Sequence, residues 1–229
     1  MNKRAIRRLV RLGRRYENCR TIPLLKDIET ELWRAGELAD RRLGGYWPWG
    51  RDPILLSDIE HWTSRNLGWS FPCAEAIVLI RRLIHWPCGR VIDIGAGHGL
   101  WTRVLKQEFG SGKVVGLDPE TANDDVLQAT FSDWCDETGG PEDADLLFAS
   151  WLPCEGQEGF DLGSQILDRV VADEQTFVYV GSGPFGPVGT KDFYDRLGIE
   201  FDEYATEPLP RVYRSVFPRD FIRAYRRKP

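Results

Sequence analysis

Three glycines that follow a single aspartate form the pattern in this sequence that is best suited to chemistry. The residues Val-Ile-Asp-Ile-Gly-Ala-Gly-His-Gly place Asp93 two positions before a turn that contains Gly95, Gly97 and Gly99. A short apolar run precedes the turn, and residues 100–109 follow it with the apolar spacing of a helix. Glycine lets the backbone approach a ligand closely, and the start of a helix offers free N–H groups. The pattern therefore predicts a nucleotide-type site between a strand and a helix.

The spacing of the glycines indicates which kind of nucleotide this turn suits. The dinucleotide fingerprint has its third glycine or alanine five residues after the first, where this sequence has Leu100. The third glycine is Gly99 instead. A carboxylate at Asp93 would repel a pyrophosphate, whereas it suits a ligand that carries an ammonium group.

A second acid follows the next predicted strand. Asp118 ends the run Lys-Val-Val-Gly-Leu-Asp and lies nineteen residues beyond Gly99. A carboxylate at the tip of the second strand can accept hydrogen bonds from both hydroxyls of a ribose. The alternative is that Asp118 caps the turn that begins at Pro119. Because Asp118 follows this glycine turn, we predict that it binds the ribose hydroxyls.

The pattern Asp-x-Gly-x-Gly-x-Gly resembles motif I of the class I S-adenosylmethionine-dependent methyltransferases. Two further segments resemble a branch of that class: Trp-Ser-Phe-Pro-Cys-Ala-Glu-Ala at 69–76, and Ser-Trp-Leu-Pro at 150–153. The branch carries an aromatic-Ser-Phe segment that leads into a helix, and a Trp-Pro-Pro loop after the fourth strand. This chain has Leu152 in place of the first proline of that loop. The resemblance covers roughly residues 68–228.

The resemblance implies an α/β fold with a Rossmann-like seven-stranded methyltransferase sheet. The apolar runs predict strands at 90–94, 113–118, 126–131, 144–149 and 176–180, with the last two at 201–207 and 221–226 and the final one reversed. Residues 1–68 contain no strand pattern, and we predict that they form a helical N-terminal extension. Residues 69–229 would then form the methyltransferase domain.

The resemblance also implies roles for individual residues. Phe71 would line the cofactor from the segment before the sheet, with ordinary helix packing as the alternative. Asp133 would accept the adenine amino group, with Asp136 and Glu137 as competing acids and a helix N-cap as the alternative role for Asp133. Ser150 and Trp151 are the predicted catalytic residues, with Trp151 walling the pocket and facing the sulfonium through its ring. The complete set of predicted contacts to S-adenosylmethionine comprises Asp93, Gly95, Gly97, His98, Gly99, Asp118, Asp133 and Phe71.

Charge is unevenly distributed along the chain. Residues 1–20 hold eight Lys/Arg against one Glu, a net charge of +7, so the remaining residues carry −12 of the total of −5. An arginine-rich amphipathic helix can bind RNA, which leaves open a nucleic-acid partner for residues 3–20. We favour a helix that docks on its own acidic domain.

The rest of the composition excludes several classes of protein. No apolar run reaches the length of a membrane span, and we expect no signal peptide. The five cysteines form no C-x-x-C pair and the three histidines form no ligand spacing, so we predict no metal, no disulfide framework and a cytoplasmic location.

The predicted function is methyl transfer from S-adenosylmethionine to an acceptor of unknown identity, either a small molecule or a protein. One alternative is an RNA methyltransferase that uses the basic N-terminal segment. The other is a non-catalytic binding module with the same fold.

Overall fold

The fold is described from a computed structural model. The described residues are 70, 72–84, 89–121, 123–157, 159, 161–170, 175–181, 183, 188–208 and 221–229. The predicted N-terminal extension, 1–68, and the predicted cofactor residue Phe71 lie outside them.

Helices and strands alternate along most of the described chain. The helices are α1 (Ala74–Leu83), α2 (Leu100–Phe109), α3 (Phe131–Thr138), α4 (Leu162–Arg169) and α5 (Lys191–Glu200). The strands are β1 (Val91–Ile94), β2 (Val114–Asp118), β3 (Val126–Gln128), β4 (Leu146–Ser150), β5 (Thr176–Gly181), β6 (Phe201–Pro208) and β7 (Phe221–Arg227).

All seven strands form one sheet in the order β3-β2-β1-β4-β5-β7-β6. β1 to β5 pair in parallel, whereas β7 runs antiparallel to both β5 and β6. The predicted Rossmann-like seven-stranded sheet with a reversed last strand is therefore confirmed. The strand order reverses between β1 and β4, and open sheets of this kind bind ligands at such a point, outside the carboxyl ends of the strands.

Helices cover both faces of the sheet and thereby bury the central strands on both sides. On one face, α1 and α2 pack on alternate residues of the strands, among them Val91 and Phe148. On the other face, α3, α4 and α5 pack on the residues in between, among them Ile92 and Phe177. The sheet thereby presents its carboxyl edge between two helical layers.

The third predicted strand is partly wrong. β3 ends at Gln128, and Phe131 begins helix α3 instead of ending a strand. Thr130 caps that helix by accepting a hydrogen bond from the Asp133 N–H over 3.0 Å. The hydrogen-bonding side chain of Thr130 thus overrides the apolar continuity that favoured a longer strand.

None of the described helices has both the length and the apolar character that a bilayer span requires. The part of the chain that the structure describes also contains no group of three His, Cys, Asp or Glu side chains able to hold a metal ion.

Candidate functional site

The glycine turn joins the end of β1 to the start of α2. Gly95, Gly97 and Gly99 all have positive φ angles, of 70°, 53° and 77°. The backbone N–H groups of Gly95 and Ala96 both donate to the Leu117 carbonyl over 2.9 Å, which holds the turn against the end of β2. Residues that carry a side chain rarely adopt these backbone angles, so the turn depends on glycine at all three positions.

The three glycines differ in what surrounds them. A β-carbon at Gly99 would lie 2.7 Å from Val126 Cγ2, so this glycine also allows the turn to pack closely against the start of β3. A β-carbon at Gly97 would meet no atom of the described chain within 4 Å. In the part of the chain that the structure describes, Gly97 therefore borders open space at the carboxyl edge, where a ligand can contact the backbone.

Asp93 is buried beneath this turn with only half of its carboxylate hydrogen-bonded. Its exposed fraction is 1%, and the Thr102 hydroxyl donates to its Oδ2 over 2.6 Å. Oδ1 is buried and has no partner among the described residues. Burial raises the pKa of Asp93 to about 7, against the lowering effect of Thr102, and the charge of Asp118 raises it further.

Gly116 makes the contact between Asp93 and Thr102 possible. Gly116 lies opposite Asp93 in the β1–β2 register, and a β-carbon there would approach Thr102 Oγ1 to 2.5 Å. The missing side chain lets α2 come close to the sheet. Sequence reasoning did not single out Gly116 or Thr102, although a glycine inside a strand does signal a close approach.

Asp118 ends β2 and already has three partners. Its Oδ2 accepts from the Gly97 N–H over 2.9 Å. Its Oδ1 accepts from the N–H groups of Glu120 and Thr121, both over 3.0 Å. The capping role that the sequence left as the alternative is therefore present. Oδ1 already accepts two hydrogen bonds, whereas Oδ2 accepts one and can take another, so capping leaves room at Oδ2 for a ligand hydroxyl.

The other predicted cofactor residues are more exposed. His98 lies in the glycine turn with its side chain exposed. Asp133 is exposed at the first turn of α3, where its Oδ2 accepts from the Thr130 hydroxyl over 2.6 Å. Thr130, and not Asp133, is the N-cap of α3, so the N-cap alternative for Asp133 is wrong. The role of Asp133 toward adenine stays a prediction.

The two predicted catalytic residues lie where β4 leaves the sheet. Ser150 is the last residue of β4, and both Ser150 and Trp151 are half-buried. The Trp151 N–H donates to the Val180 carbonyl over 2.9 Å. Trp151 has a φ of 52° and is the one non-glycine among the described residues with positive φ. Such strain in a bulky residue clusters at functional sites.

The strand order brings most of the predicted site together. β2, β1 and β4 are neighbours, so Asp118, the glycine turn and Ser150 end three adjacent strands. Asp133 follows β3, one strand further out. One contact that sequence reasoning missed adjoins this edge: the Trp101 indole, in the first turn of α2, donates from Nε1 to Ser70 Oγ over 2.9 Å.

The chain matches no family model and no curated protein. It is similar to a solved protein of the NADB-Rossmann superfamily from Streptococcus agalactiae, with 13% identity, coverage of 69% of this chain and 70% of that one, and a TM-score of 0.42. It is also similar to the tRNA methyltransferase TrmK of B. subtilis, with 10% identity, 67% and 65% coverage and a TM-score of 0.38.

A third similar structure is a mutant of MtNAS in complex with S-adenosylmethionine. Here the identity is 15%, the coverage is 96% of this chain and 97% of that one, and the TM-score is 0.42.

Proposed function

We propose that this protein is an S-adenosylmethionine-dependent methyltransferase whose acceptor is a small molecule or a protein. The observation that carries the proposal is the buried, unpaired Oδ1 of Asp93 beneath the glycine turn. A buried polar atom without a partner costs free energy unless a ligand satisfies it.

The chemistry of this oxygen favours a cationic ligand. A pyrophosphate beside Asp93 would add like charge to a carboxylate that burial already disfavours as an anion. An ammonium group would donate a hydrogen bond to Oδ1 and supply the missing counter-charge. S-adenosylmethionine carries both an ammonium and a sulfonium, and the ammonium of its amino-acid end would bind Asp93.

Other residues would hold the rest of the cofactor. Asp118 would accept a hydrogen bond from a ribose hydroxyl at Oδ2, and Gly97 offers backbone that no described side chain covers. The exposed Asp133 carboxylate would accept the adenine amino group. Phe71 keeps its proposed place along the cofactor, as does His98 in the turn.

When bound, S-adenosylmethionine supplies a methyl group on a good leaving group, so the chain needs no strong general base. Its residues would orient the acceptor and exclude water. Ser150 ends β4 beside the turn and would hold the acceptor atom through its hydroxyl. Trp151 would wall the pocket, and its left-handed backbone supports a role beyond packing.

Binding and turnover test this proposal separately. Calorimetry with S-adenosylmethionine and with NAD⁺ should show binding of the first and none of the second. Formation of S-adenosylhomocysteine with candidate acceptors then distinguishes an enzyme from a non-catalytic module. Absence of binding to both S-adenosylmethionine and S-adenosylhomocysteine would refute the proposal.

An RNA acceptor remains the second candidate because of the basic segment 3–20. The described carboxyl edge offers it little help. Exposed carboxylates follow the strands there, among them Glu120, Asp133 and Glu155. An RNA substrate would therefore depend on the N-terminal segment for its phosphate contacts.

A further inference from the structure

Ser70 and Trp101 form a buried hydrogen bond beside the glycine turn. Ser70 is 6% exposed and Trp101 is 3% exposed. The indole packs at 50° to the Phe148 ring, with the ring centroids 4.8 Å apart, and its N–H donates to Ser70 Oγ over 2.9 Å. The indole is thus fixed by packing on one side and by Ser70 on the other.

The direction of this hydrogen bond leaves the Ser70 hydroxyl with a donor to spare. An indole N–H can only donate, so Ser70 Oγ acts as the acceptor. The hydroxyl hydrogen of Ser70 has no acceptor among the described residues, and a buried hydroxyl ordinarily donates as well as accepts. The Trp101 N–H occupies one lone pair of Ser70 Oγ, which restricts the direction in which the hydroxyl hydrogen can point.

The second incomplete polar group lies on the other side of the same helical turn. Trp101 binds Ser70, and the next residue, Thr102, binds Asp93. Phe148, on which the indole packs, is the register partner of Asp93 between β1 and β4. A spare donor and a spare buried acceptor therefore flank the start of α2.

We infer that Ser70 donates a hydrogen bond to the carboxylate of the cofactor's amino-acid end, while Asp93 accepts from its ammonium. This inference rests on the proposed function, because it concerns the same cofactor. A carboxylate there would also lie near the N-terminus of α2, where the helix dipole stabilises negative charge. Trp101 is a positioning residue that orients the Ser70 hydroxyl. The site would thus recognise an α-amino acid by both of its charged groups.

Two ligands that differ only in the carboxylate isolate the contribution of Ser70. S-adenosylhomocysteine has the carboxylate, and its decarboxylated analogue keeps the ammonium and lacks the carboxylate. Calorimetry would compare both ligands on the wild-type protein, Ser70→Ala and Trp101→Phe. Ser164→Ala is a matched control, because the Ser164 hydroxyl donates to Asp192 at an exposed position.

Ser70→Ala should weaken S-adenosylhomocysteine about 10-fold or more, the usual loss for a hydrogen bond to a charged group, and leave the analogue unchanged. Trp101→Phe keeps the ring packing. It should reduce the preference for S-adenosylhomocysteine over the decarboxylated analogue by less than Ser70→Ala does. Ser164→Ala should bind both ligands as the wild type does.

The outcomes separate this inference from the proposed function. If the wild type binds neither ligand, the proposed function fails. If the wild type binds both but Ser70→Ala keeps its preference for the carboxylate, or weakens both ligands equally, the role of Ser70 is refuted. If Ser70→Ala fails to fold by circular dichroism, Ser70→Cys replaces it, since a thiol is a weak donor of similar size.

Discussion

The backbone N–H of Gly97 donates to Asp118 Oδ2 over 2.9 Å, which joins the glycine turn after β1 to the end of β2. The same carboxylate holds the next turn through Glu120 and Thr121. One side chain thus shapes the crevice and still has acceptor capacity for a ligand.

Asp118→Ala should therefore lower both stability and cofactor affinity. Loss of a charged acceptor costs about 1.5–3 kcal/mol, so binding of S-adenosylmethionine should weaken roughly 10- to 150-fold by calorimetry. Asn123→Ala is the matched control, because Asn123 caps the same loop by accepting from Asp125 and Val126. It should cost stability without a comparable loss of affinity. Unchanged affinity in a folded Asp118→Ala protein would remove Asp118 from the site.

Alanine at Gly97 should impair ligand binding beyond its effect on stability. Gly97 and Gly139 both have positive φ, and a β-carbon would meet no described atom within 4 Å at either. Each substitution should destabilise by about 1–2 kcal/mol in chemical denaturation, the cost of a left-handed alanine. Only Gly97→Ala should also weaken cofactor binding, because Gly139 ends α3 away from the turn. Equal affinity in the two variants would contradict a ligand above Gly97.

The buried carboxyl of Asp93 should make stability depend on pH. Its pKa is raised from 3.8 to about 7, so its stabilising contribution is complete below about pH 4 and is lost as pH rises through about 7. Asp93→Asn keeps an acceptor for Thr102 and removes the titration. Between pH 4 and pH 8 the wild type should lose up to about 4 kcal/mol more unfolding free energy than the variant does. Parallel urea-denaturation profiles for the two proteins would count against this prediction.

Binding of a cationic ligand should show the opposite pH dependence. The ligand favours the ionised form of Asp93, so affinity for S-adenosylmethionine should fall below about pH 7, and binding should release a proton. Calorimetry in buffers of different ionisation enthalpy measures that release. Asp93→Asn should bind S-adenosylmethionine more weakly and without this proton release.

Substitution of Trp151 should separate catalysis from cofactor binding. Trp151→Ala should depress formation of S-adenosylhomocysteine far more than it changes cofactor affinity. Trp151→Gly should lose the same activity. Its free energy of unfolding should exceed that of Trp151→Ala by about 1 kcal/mol or more, because glycine adopts the φ of 52° without strain. Parallel loss of affinity and turnover would instead make Trp151 a residue that packs on the cofactor.

The basic segment at 1–20 should behave as part of the protein and not as a nucleic-acid site. Deleting it should lower stability, and RNA and duplex DNA should bind weakly to the intact chain. An arm with four phosphate contacts would give a slope of about −3.6 in log affinity for duplex against log salt. A slope of that size that disappears on deletion would favour the RNA alternative.

Local structure in this protein was largely predictable from sequence. The helix over 100–109 has the predicted bounds, because a left-handed glycine precedes it and its apolar spacing is regular. The second and fourth strands begin or end within two residues of prediction. Strand and helix periods are properties of neighbouring residues, so they are visible in the sequence. The third strand was predicted too long because one side-chain cap at Thr130 outweighed an apolar run.

The sequence by itself determined the glycine turn, the acids at Asp93 and Asp118, and the order of the elements that carry them. Only the tertiary structure decided how those acids are used. Thr102 reaches Oδ2 of Asp93 because α2 packs closely over Gly116, and Oδ1 has no partner within the described residues. Ser70 meets Trp101 across 31 residues of chain. Partners this far apart depend on which faces pack together, and hydrophobic periodicity specifies that a face is buried without specifying the atom it will meet.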